Sequence, residues 1–537
     1  MSRQQLLTLI ATILGSTVVF LDSTVVNVAL PAIAEDFDAG LAGQQWVVES
    51  YLLALVALLL VGGSLGDQFG RRRIFVIGLL AFGATSILCA VAPTVEVLIG
   101  ARALQGVAGA LLVPGSLAIV AASFEGAARG RAVGIWTAWT GIAVVIGPAG
   151  GGALIEALSW RAIFWVNIPL IAVTVALTLR AVAESRDTEA FRGIDWLGIA
   201  LSAVGLGGPV FALIEQPAYG WGDPLVWVPL LVGIACLALF VAHEARARHP
   251  MLELALFRIR NFWVANLTTF AAYAGLIAGL FYITIFVQQV AGYSPIEAGL
   301  ATTPISVVLF VLSPRFGRLA SGTGPRLPMS AGPIVAGVGL LLLLRVDAGA
   351  EYVSQVLPAV LVFSLGLAAT VAPLTATVLD SVDERHVGIA SGVNNGIARV
   401  AGLLAIAVLG AVISANFGST LDRNLGEQPL GPRAEAAVAG AKSQPLAVPA
   451  ARRLPPAEAA RLREAAADAS TSAFHLGAGI AALLMIAGGV VAGLGIVNPP
   501  RRIEPVHAGG AAPAGECGRT STSTPTSVPQ RAGAEAT

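Results

Sequence analysis

Long apolar stretches recur along the chain and limit the folds that it can adopt. A helix needs about 20 apolar residues to cross the hydrocarbon core of a bilayer, and only helices and closed barrels satisfy their backbone groups in lipid. Charged residues make up 12% of the chain, about half of the roughly 25% found in soluble domains. We therefore predict an all-α polytopic membrane protein. Its fourteen predicted transmembrane helices lie near residues 6–30, 44–66, 74–92, 94–122, 133–157, 162–180, 196–215, 225–243, 262–291, 297–314, 328–345, 354–379, 387–416 and 474–497.

The arginines predict how the chain is oriented, because basic residues gather on the cytoplasmic side of membrane proteins. With a cytoplasmic N-terminus, that side holds 19 arginines, whereas the short outer loops hold two, Arg161 and Arg345. We therefore expect both termini in the cytoplasm. Residues 417–473 are predicted to form a long outer loop, in which Pro455–Asp468 has the composition of a short helix. We expect the tail 503–537 to be disordered and cytoplasmic.

Two short segments of similar sequence indicate an internal repeat. Gly63–Arg73 joins the second and third predicted spans, and Gly317–Arg326 joins the tenth and eleventh. Both contain the pattern G-x-L-x-x-x-x-G followed by arginine, on the same side of the membrane. Parallel repeats of this type belong to a known transporter architecture. We predict a six-helix bundle at 1–185, two inserted helices at 186–250 and a second six-helix bundle at 251–502.

The sequence contains no pattern typical of enzyme or metal chemistry. Its three cysteines are widely spaced, and its five histidines form neither a cluster nor an HExxH sequence. We therefore predict no catalytic site, no metal site and no cofactor. The formal net charge of zero gives no reason to expect a nucleic acid partner.

An aspartate, Asp22, lies inside the first apolar stretch, where an ionised carboxylate costs several kcal/mol if it faces lipid. Such residues usually face a protein interior or a water-filled path for ions or protons. Arg102 lies in the fourth predicted span. Counting about 1.5 Å per residue places both groups roughly 12–14 Å below the outer surface. At similar depth they are natural partners, since each reduces the desolvation penalty of the other.

Several segments together resemble the major facilitator superfamily, and more narrowly its fourteen-span drug:proton antiporters. The resemblance covers roughly residues 10–415 and the last span, and the order of the motifs makes it specific. It implies two six-helix bundles with two inserted helices, and multidrug efflux driven by protons. The segments are Leu21–Pro31, Gly63–Arg73, Leu98–Gly109, Ala143–Gly152, Trp160–Pro169 and Ser391–Arg399.

The resemblance implies that Asp22 gains and loses a proton during transport and that Arg102 assists it. The alternative is a static ion pair that only fixes helix packing. Glu49 is a second acid, about 8 Å deep in the second span, at a position where the relatives more often have a small or hydroxylated residue. It is a second proton site, an anchor for a cationic substrate, or a carboxylate that reaches the outer headgroups.

Two further motifs imply moving parts. In the motif after the second span, Gly63, Asp67, Gly70, Arg71 and Arg72 are expected to form a cytoplasmic gating contact, with Asp67 facing a helix N-terminus or a positive cluster. The alternative is simple anchoring of the arginines on the cytoplasmic side.

In the fifth span, Gly147, Pro148, Gly151 and Gly152 resemble the motif that separates exporters from importers. Such residues let a helix bend and pack closely against a neighbour. A kink without directional meaning is the alternative.

A substrate cavity is expected among Trp136, Trp139, Gln288, Gln289 and Arg399, with contact to lipid as the alternative for the uncharged members. Arg399 can instead pair with Asp380 or bind helix carbonyls.

We expect a monomeric transporter of a bacterial inner membrane that exports hydrophobic or cationic compounds in exchange for protons, with the proton gradient as its energy source. The alternatives are a dedicated exporter of one metabolite, such as an antibiotic or a lipid, and a sensor that does not transport.

Overall fold

The computed structural model describes residues 1–124, 126–186, 195–247, 252–383, 387–426, 431–449, 451 and 454–498. Within this part of the chain the regular structure is helical. Thirteen of its helical segments are long and apolar enough to cross a membrane. The remaining predicted span lies within a helix of 32 residues, Gly126–Ala157. The fold class predicted from the sequence is therefore confirmed.

The helices are α1 (Arg3–Phe37), α2 (Leu41–Phe69), α3 (Arg71–Ala90), α4 (Val95–Ser123), α5 (Gly126–Ala157), α6 (Ala162–Trp165), α7 (Asn167–Ala181), α8 (Trp196–Tyr219), α9 (Pro224–Glu244), α10 (Arg260–Gln289), α11 (Pro295–Thr323), α12 (Arg326–Leu342), α13 (Leu357–Asp380), α14 (Val387–Leu425), α15 (Pro432–Lys442) and α16 (Pro456–Gly495). Helices α1 to α7 pack on one another, as do α10 to α16, and α8 and α9 form a separate pair that contacts α2 and α14 through α8.

Most of the predicted outer loop 417–473 is helical, and the short helix predicted at Pro455–Asp468 is present as the start of α16. Helix α14 continues to Leu425, α15 occupies Pro432–Lys442, and α16 begins at Pro456, well before the predicted span. The reason is a stripe of small apolar side chains at helical spacing, which buries the start of α16 despite its charges. The stripe consists of Ala459, Leu462, Ala466, Ala469 and Ala473. The predicted disordered tail, 503–537, lies outside the described residues.

Two opposite faces of the bundle differ in chemistry. We call the face with Arg71–Arg73, Arg260 and Arg326 the arginine-rich face, and the other, where α1 ends and α2 begins, the opposite face. The sequence predicts that the arginine-rich face is cytoplasmic.

The hydrophobic core is shared by both halves of the chain only away from the arginine-rich face. Near the opposite face, one cluster joins residues of α1 and α2, such as Val28 and Val47, to residues of α10 and α14, such as Phe286 and Leu409. Towards the arginine-rich face, separate clusters serve α1 to α7 and α10 to α16. The two bundles are therefore closed against each other at the opposite face.

The two repeated segments fold alike. Gly70 separates α2 from α3 with φ +109°, and Gly324 separates α11 from α12 with φ +89°. Two residues later, the Arg72 amide donates to Glu184 at 3.0 Å, and the Arg326 amide donates to Asn498 at 3.0 Å. Each acceptor lies three residues after the last helix of its own bundle. The internal repeat is therefore visible in the structure down to single hydrogen bonds.

Glu184 caps α3 from a distant part of the chain, because its second oxygen also accepts from the Arg73 amide at 3.2 Å. We expect Glu184→Ala to destabilise the protein by about 1 kcal/mol, as loss of a helix cap does. Glu184→Gln should lose less stability, since the amide oxygen of Asn498 accepts the equivalent hydrogen bond in the other repeat. Thermal unfolding in detergent measures both; equal losses for the two variants would contradict the capping role.

Candidate functional site

Asp22 and Arg102 form a buried ion pair inside the first bundle. The Arg102 Nη1 atom lies 2.5 Å from Asp22 Oδ2, and each side chain is 1% exposed. Arg102 also donates from Nε to the Val47 carbonyl at 3.1 Å, and its guanidinium lies 4.3 Å from the centre of the Tyr51 ring. The pair joins α1, α2 and α4. Because the two charges cancel, the interior of this bundle is electrically neutral at this point.

Neutral polar side chains complete the hydrogen bonding of Asp22. Its Oδ1 atom accepts from Gln105 Nε2 at 3.0 Å and from Asn167 Nδ2 at 3.2 Å. Ser86 accepts from the same two amides, and Gln105 also accepts from Arg102 Nη1 at 2.6 Å. We call Asp22, Arg102, Gln105, Asn167 and Ser86 the buried polar cluster. The hydrogen-bonding capacity of the Asp22 carboxylate is thereby satisfied within the bundle.

The sequence prediction missed the roles of Gln105, Asn167 and Ser86. Gln105 follows Arg102 by three residues and therefore shares its helix face, which is a usable signal. Asn167 is the polar residue at the start of α7, and Ser86 is one hydroxyl in an apolar stretch of α3. Their convergence depends on how α3 and α7 pack against α1, which the sequence does not give.

Glu49 lies apart from the buried polar cluster. It is 0% exposed, and within the described chain neither of its carboxylate oxygens has a hydrogen-bond partner. The interpretation in which Glu49 reaches the outer headgroups is therefore wrong. The other two interpretations, a proton site and a cationic anchor, remain.

In the motif between α2 and α3, Asp67 pairs with Arg71 of the predicted positive cluster, Oδ1 to Nη2 at 2.8 Å. Both residues belong to the same bundle, so this contact does not join the two bundles. The carboxylate at the N-terminus of α3 belongs to Glu184, which an added Cβ at Gly70 would approach to 2.7 Å. Arg72 donates to the Val182 carbonyl at 3.3 Å. Gly63 lies against Pro114 of α4.

The glycines of the α5 motif serve close packing on two sides. Cβ atoms at Gly147 and Gly151 would overlap Thr24 and Val25 of α1, two and three residues from Asp22. A Cβ at Gly152 would overlap the Pro295 carbonyl oxygen at the start of α11, and Gly299 of α11 lies equally close to the Pro148 carbonyl. The motif therefore brings the two bundles together at the opposite face.

Two of the predicted cavity residues, Gln288 and Gln289, line a cavity of about 440 Å³ at the opposite face, together with Glu35, Asp38 and Gln44. Gln288 also donates to the Val28 carbonyl at 3.2 Å, across the two bundles. Trp136 and Trp139 lie in the other half of the molecule, in the first half of α5.

Of these two tryptophans, Trp136 packs in a buried cluster with residues of α1 and α4, whereas Trp139 is 54% exposed. Arg399 is partly buried, and its charge acts on Tyr51 and Tyr273, one from each bundle. It forms no ion pair with Asp380 in the described part of the chain.

Comparisons with known proteins agree with this architecture. The sequence matches the Major Facilitator Superfamily over residues 12–406. A solved bacterial homolog of the human lysosomal transporter Spinster, in an inward-facing and unoccupied conformation, has a TM-score of 0.62 at 17% identity, covering 93% of this chain and 100% of that chain. The chain belongs to the Major Facilitator Superfamily, a family of membrane transporters and not of enzymes.

Relatives in sequence have functions in drug resistance. The multidrug resistance protein Stp of Mycobacterium tuberculosis is 38% identical over 426 residues, 79% of each chain. The multidrug efflux pump LfrA of Mycolicibacterium smegmatis is 34% identical over 475 residues, 88% of this chain and 93% of that protein. The tetracenomycin C resistance and export protein of Streptomyces glaucescens is 32% identical over 490 residues, 90% of each.

A double-mutant cycle tests the buried ion pair. Arg102→Gln leaves the Asp22 carboxylate without its cation in the interior, and we expect a loss of about 3–5 kcal/mol of stability. Adding Asp22→Asn should recover part of that loss, because neither charge then remains to be desolvated. Thermal unfolding of the two single variants and the double variant measures the coupling. Additive losses would show that the two side chains do not stabilise each other.

Alanine substitutions in the α5 motif test the contact between the bundles. We expect Gly152→Ala to separate α5 from α11, because the new methyl group meets a backbone oxygen that cannot turn aside. The matched control is Gly150→Ala, whose methyl group would meet only Ile146, at 3.7 Å. Asp38 and Gln444 are hydrogen-bonded at 3.2 Å at the opposite face. Once the native cysteines are replaced, disulfide formation between Asp38→Cys and Gln444→Cys reports closure of that face. Equal disulfide yields in Gly152→Ala and Gly150→Ala would contradict the proposed contact.

Proposed function

We propose that this protein exports small drug-like molecules from the cytoplasm in exchange for protons. The relatives named above support export of drugs. The observation that supports proton coupling is Asp22, a carboxylate buried in a transmembrane bundle and held by one permanently charged arginine. The arginine-rich face is the cytoplasmic side in this proposal, and both termini lie there. The protein acts as a monomer and uses no cofactor.

Protonation of Asp22 is the coupling step. When Asp22 is ionised, it balances the charge of Arg102 and accepts from Gln105 and Asn167. When it is neutral, Arg102 has an unbalanced charge, and at least one of these bonds must be rearranged. Thr24 and Val25, which follow Asp22 on α1, pack directly on Gly147 and Gly151. A change at Asp22 is thereby transmitted to α5, the helix that also contacts the other bundle.

Proton entry supplies the energy of export. A proton that binds Asp22 from the outer side and leaves to the cytoplasm releases about 2.3 kcal/mol per 100 mV of membrane potential. For an uncharged substrate, that energy supports more than a tenfold concentration gradient for each proton. Release of the proton on the cytoplasmic side restores the ion pair, and the protein is ready to bind the next substrate. The Asp67–Arg71 pair lies within the first bundle and therefore stays formed through this cycle.

The substrates are hydrophobic compounds, including cationic ones. A second proposal is export of a single metabolite, and one observation favours it: the Streptomyces glaucescens relative is named for resistance to and export of tetracenomycin C. The two proposals differ in the range of compounds exported. A panel of cationic dyes and neutral antibiotics in cells that lack their own efflux pumps separates them, since a dedicated exporter protects against one chemical class.

Asp22→Asn tests the coupling. In proteoliposomes with an imposed proton gradient, we expect the variant to lose uphill export of a dye, because an amide cannot release a proton. Equilibration of the dye down its own gradient should remain. The matched control is Asp36→Asn on the same helix, where the carboxylate pairs with Arg161 at 2.7 Å but is exposed. If Asp22→Asn still concentrates the dye as the control does, proton coupling through Asp22 is wrong.

A further inference from the structure

The proposed cycle does not explain why Glu49, a buried acid, lacks a hydrogen-bond partner in the described chain. Its two oxygens have no hydrogen-bond partner in the described chain, whereas Asp22 accepts from Arg102, Gln105 and Asn167. A native protein rarely leaves a buried polar group without a partner, and such a group needs a physical explanation. The two acids thus have opposite environments, although both lie in the half of the bundle near the opposite face.

The surroundings of Glu49 place it where the bundles meet. One turn earlier on α2, Gln45 donates to the Tyr282 hydroxyl of α10 at 3.1 Å and to the Ile406 carbonyl of α14 at 2.8 Å. Glu49 follows Gln45 by four residues and therefore lies on the same face of α2, towards this contact. The bonds of Gln45 exist only while α2 lies against the second bundle. Glu49 is therefore buried by closure of the opposite face.

The charged and titratable groups around this part of α2 give Glu49 no counter-ion. Arg102 is paired with Asp22, Glu215 accepts from Trp46, and Tyr282 donates to the Ile406 carbonyl. The full set, by element, is Asp22 on α1, Tyr51 on α2, Cys89 on α3, Arg102 on α4, Glu215 on α8, Tyr282 on α10 and Arg399 on α14. None of these groups bonds to Glu49.

Desolvation decides the charge of Glu49 in this conformation. An ionised carboxylate without a partner costs several kcal/mol in such an interior, far more than a neutral carboxylic acid does. When α2 separates from α10 and α14, water reaches the group and the penalty disappears. The closed conformation therefore holds one more proton at this position than the open conformation does.

We propose that Glu49 is a second proton-binding site, filled and emptied only from the opposite face, whose proton favours closure of that face. The proton enters from that side as the face closes and leaves to the same side as it opens. It is therefore not delivered to the arginine-rich face, in contrast to the proton of Asp22. Glu49 makes the conformational equilibrium depend on pH without adding to the protons that are transported.

The sign of the effect follows from linkage. Because the closed conformation binds the extra proton, closure is favoured as the pH on that face falls. For one proton, the ratio of closed to open molecules changes by up to about tenfold per pH unit. The proton-binding part of this inference stands without the proposed function. Its consequence for transport rests on Asp22 being the coupling group.

The test measures closure of the opposite face as a function of pH. It uses the disulfide yield of the Asp38→Cys and Gln444→Cys pair in liposomes. The background is Asp22→Asn, which removes titration of Asp22, and the comparison is the same background with Glu49→Gln. The thiols react as thiolates, so their own pH dependence is common to both variants. We therefore compare the two variants at each pH and expect the yield with Glu49, relative to that with glutamine, to rise towards low pH. Glutamine is a neutral side chain of the same shape, and it keeps the face closed at every pH. A variant with Glu35→Gln, an exposed acid near the reporter, controls for local charge.

A second measurement counts the protons moved per drug molecule with Asp22 intact. It distinguishes a Glu49 proton that only shifts the conformational equilibrium from one that is carried across the membrane. We expect Glu49→Gln to leave this number unchanged. A lower number would overturn the inference in favour of a carried proton, and an unchanged pH dependence of the disulfide would overturn it altogether. If Asp22→Asn transports as well as the wild type, the proposed function fails, yet the disulfide measurement still decides the role of Glu49.

Discussion

The structure depends on one electrostatic constraint: charge inside a membrane-spanning bundle must be balanced where it lies. Asp22 and Arg102 satisfy it by direct contact, and three neutral side chains from α3, α4 and α7 satisfy the remaining hydrogen bonds. The interior of the first bundle thus tolerates two formal charges at 1% exposure. The same constraint makes the pair sensitive, because adding one proton unbalances a charge that Arg102 cannot lose. A site that is stable in one protonation state and strained in the other is suited to coupling.

The internal repeat gives each bundle an equivalent contact that holds the bundle together when the Asp22–Arg102 pair is disturbed. Each bundle ties its second and third helices to the end of its own last helix through an acceptor at the same position, Glu184 in one and Asn498 in the other. These contacts lie within a bundle, so they persist whichever way the bundles tilt. Contacts between the bundles are concentrated at the opposite face, where Gln45, Gln288 and Gly152 meet the other half of the chain. Each bundle is therefore a unit, and the variable contact is the one between them.

The sequence predicted the fold and the central pair because both depend on one-dimensional information. Length and hydropathy specify the spans, and counting residues from the helix ends placed Asp22 and Arg102 at one depth. The sequence does not show how the helices pack side by side, and the positions of several residues depend on that packing. The one-dimensional pattern does not show that Gln288 lines a cavity at the opposite face or that Trp136 packs with residues of α1 and α4. The charged residues at 461–464 are typical of an exposed segment, so the sequence did not predict that an apolar stripe buries the start of α16. The carboxylate that caps α3 belongs to Glu184, far away in sequence, whereas Asp67 meets the positive cluster through Arg71.

The positions of the ionisable groups also separate two tasks that one acid cannot perform alone. Asp22 lies within a bundle, and its hydrogen-bond partners Arg102, Gln105 and Asn167 all belong to that bundle. Glu49 lies between the bundles, so its surroundings are made and destroyed by the movement itself. A group of the first kind can transfer a proton across the membrane, whereas one of the second kind senses only the side from which the interface opens. Burial alone, which is nearly identical for the two acids, therefore does not determine function; what determines it is whether the partners of each acid move with it.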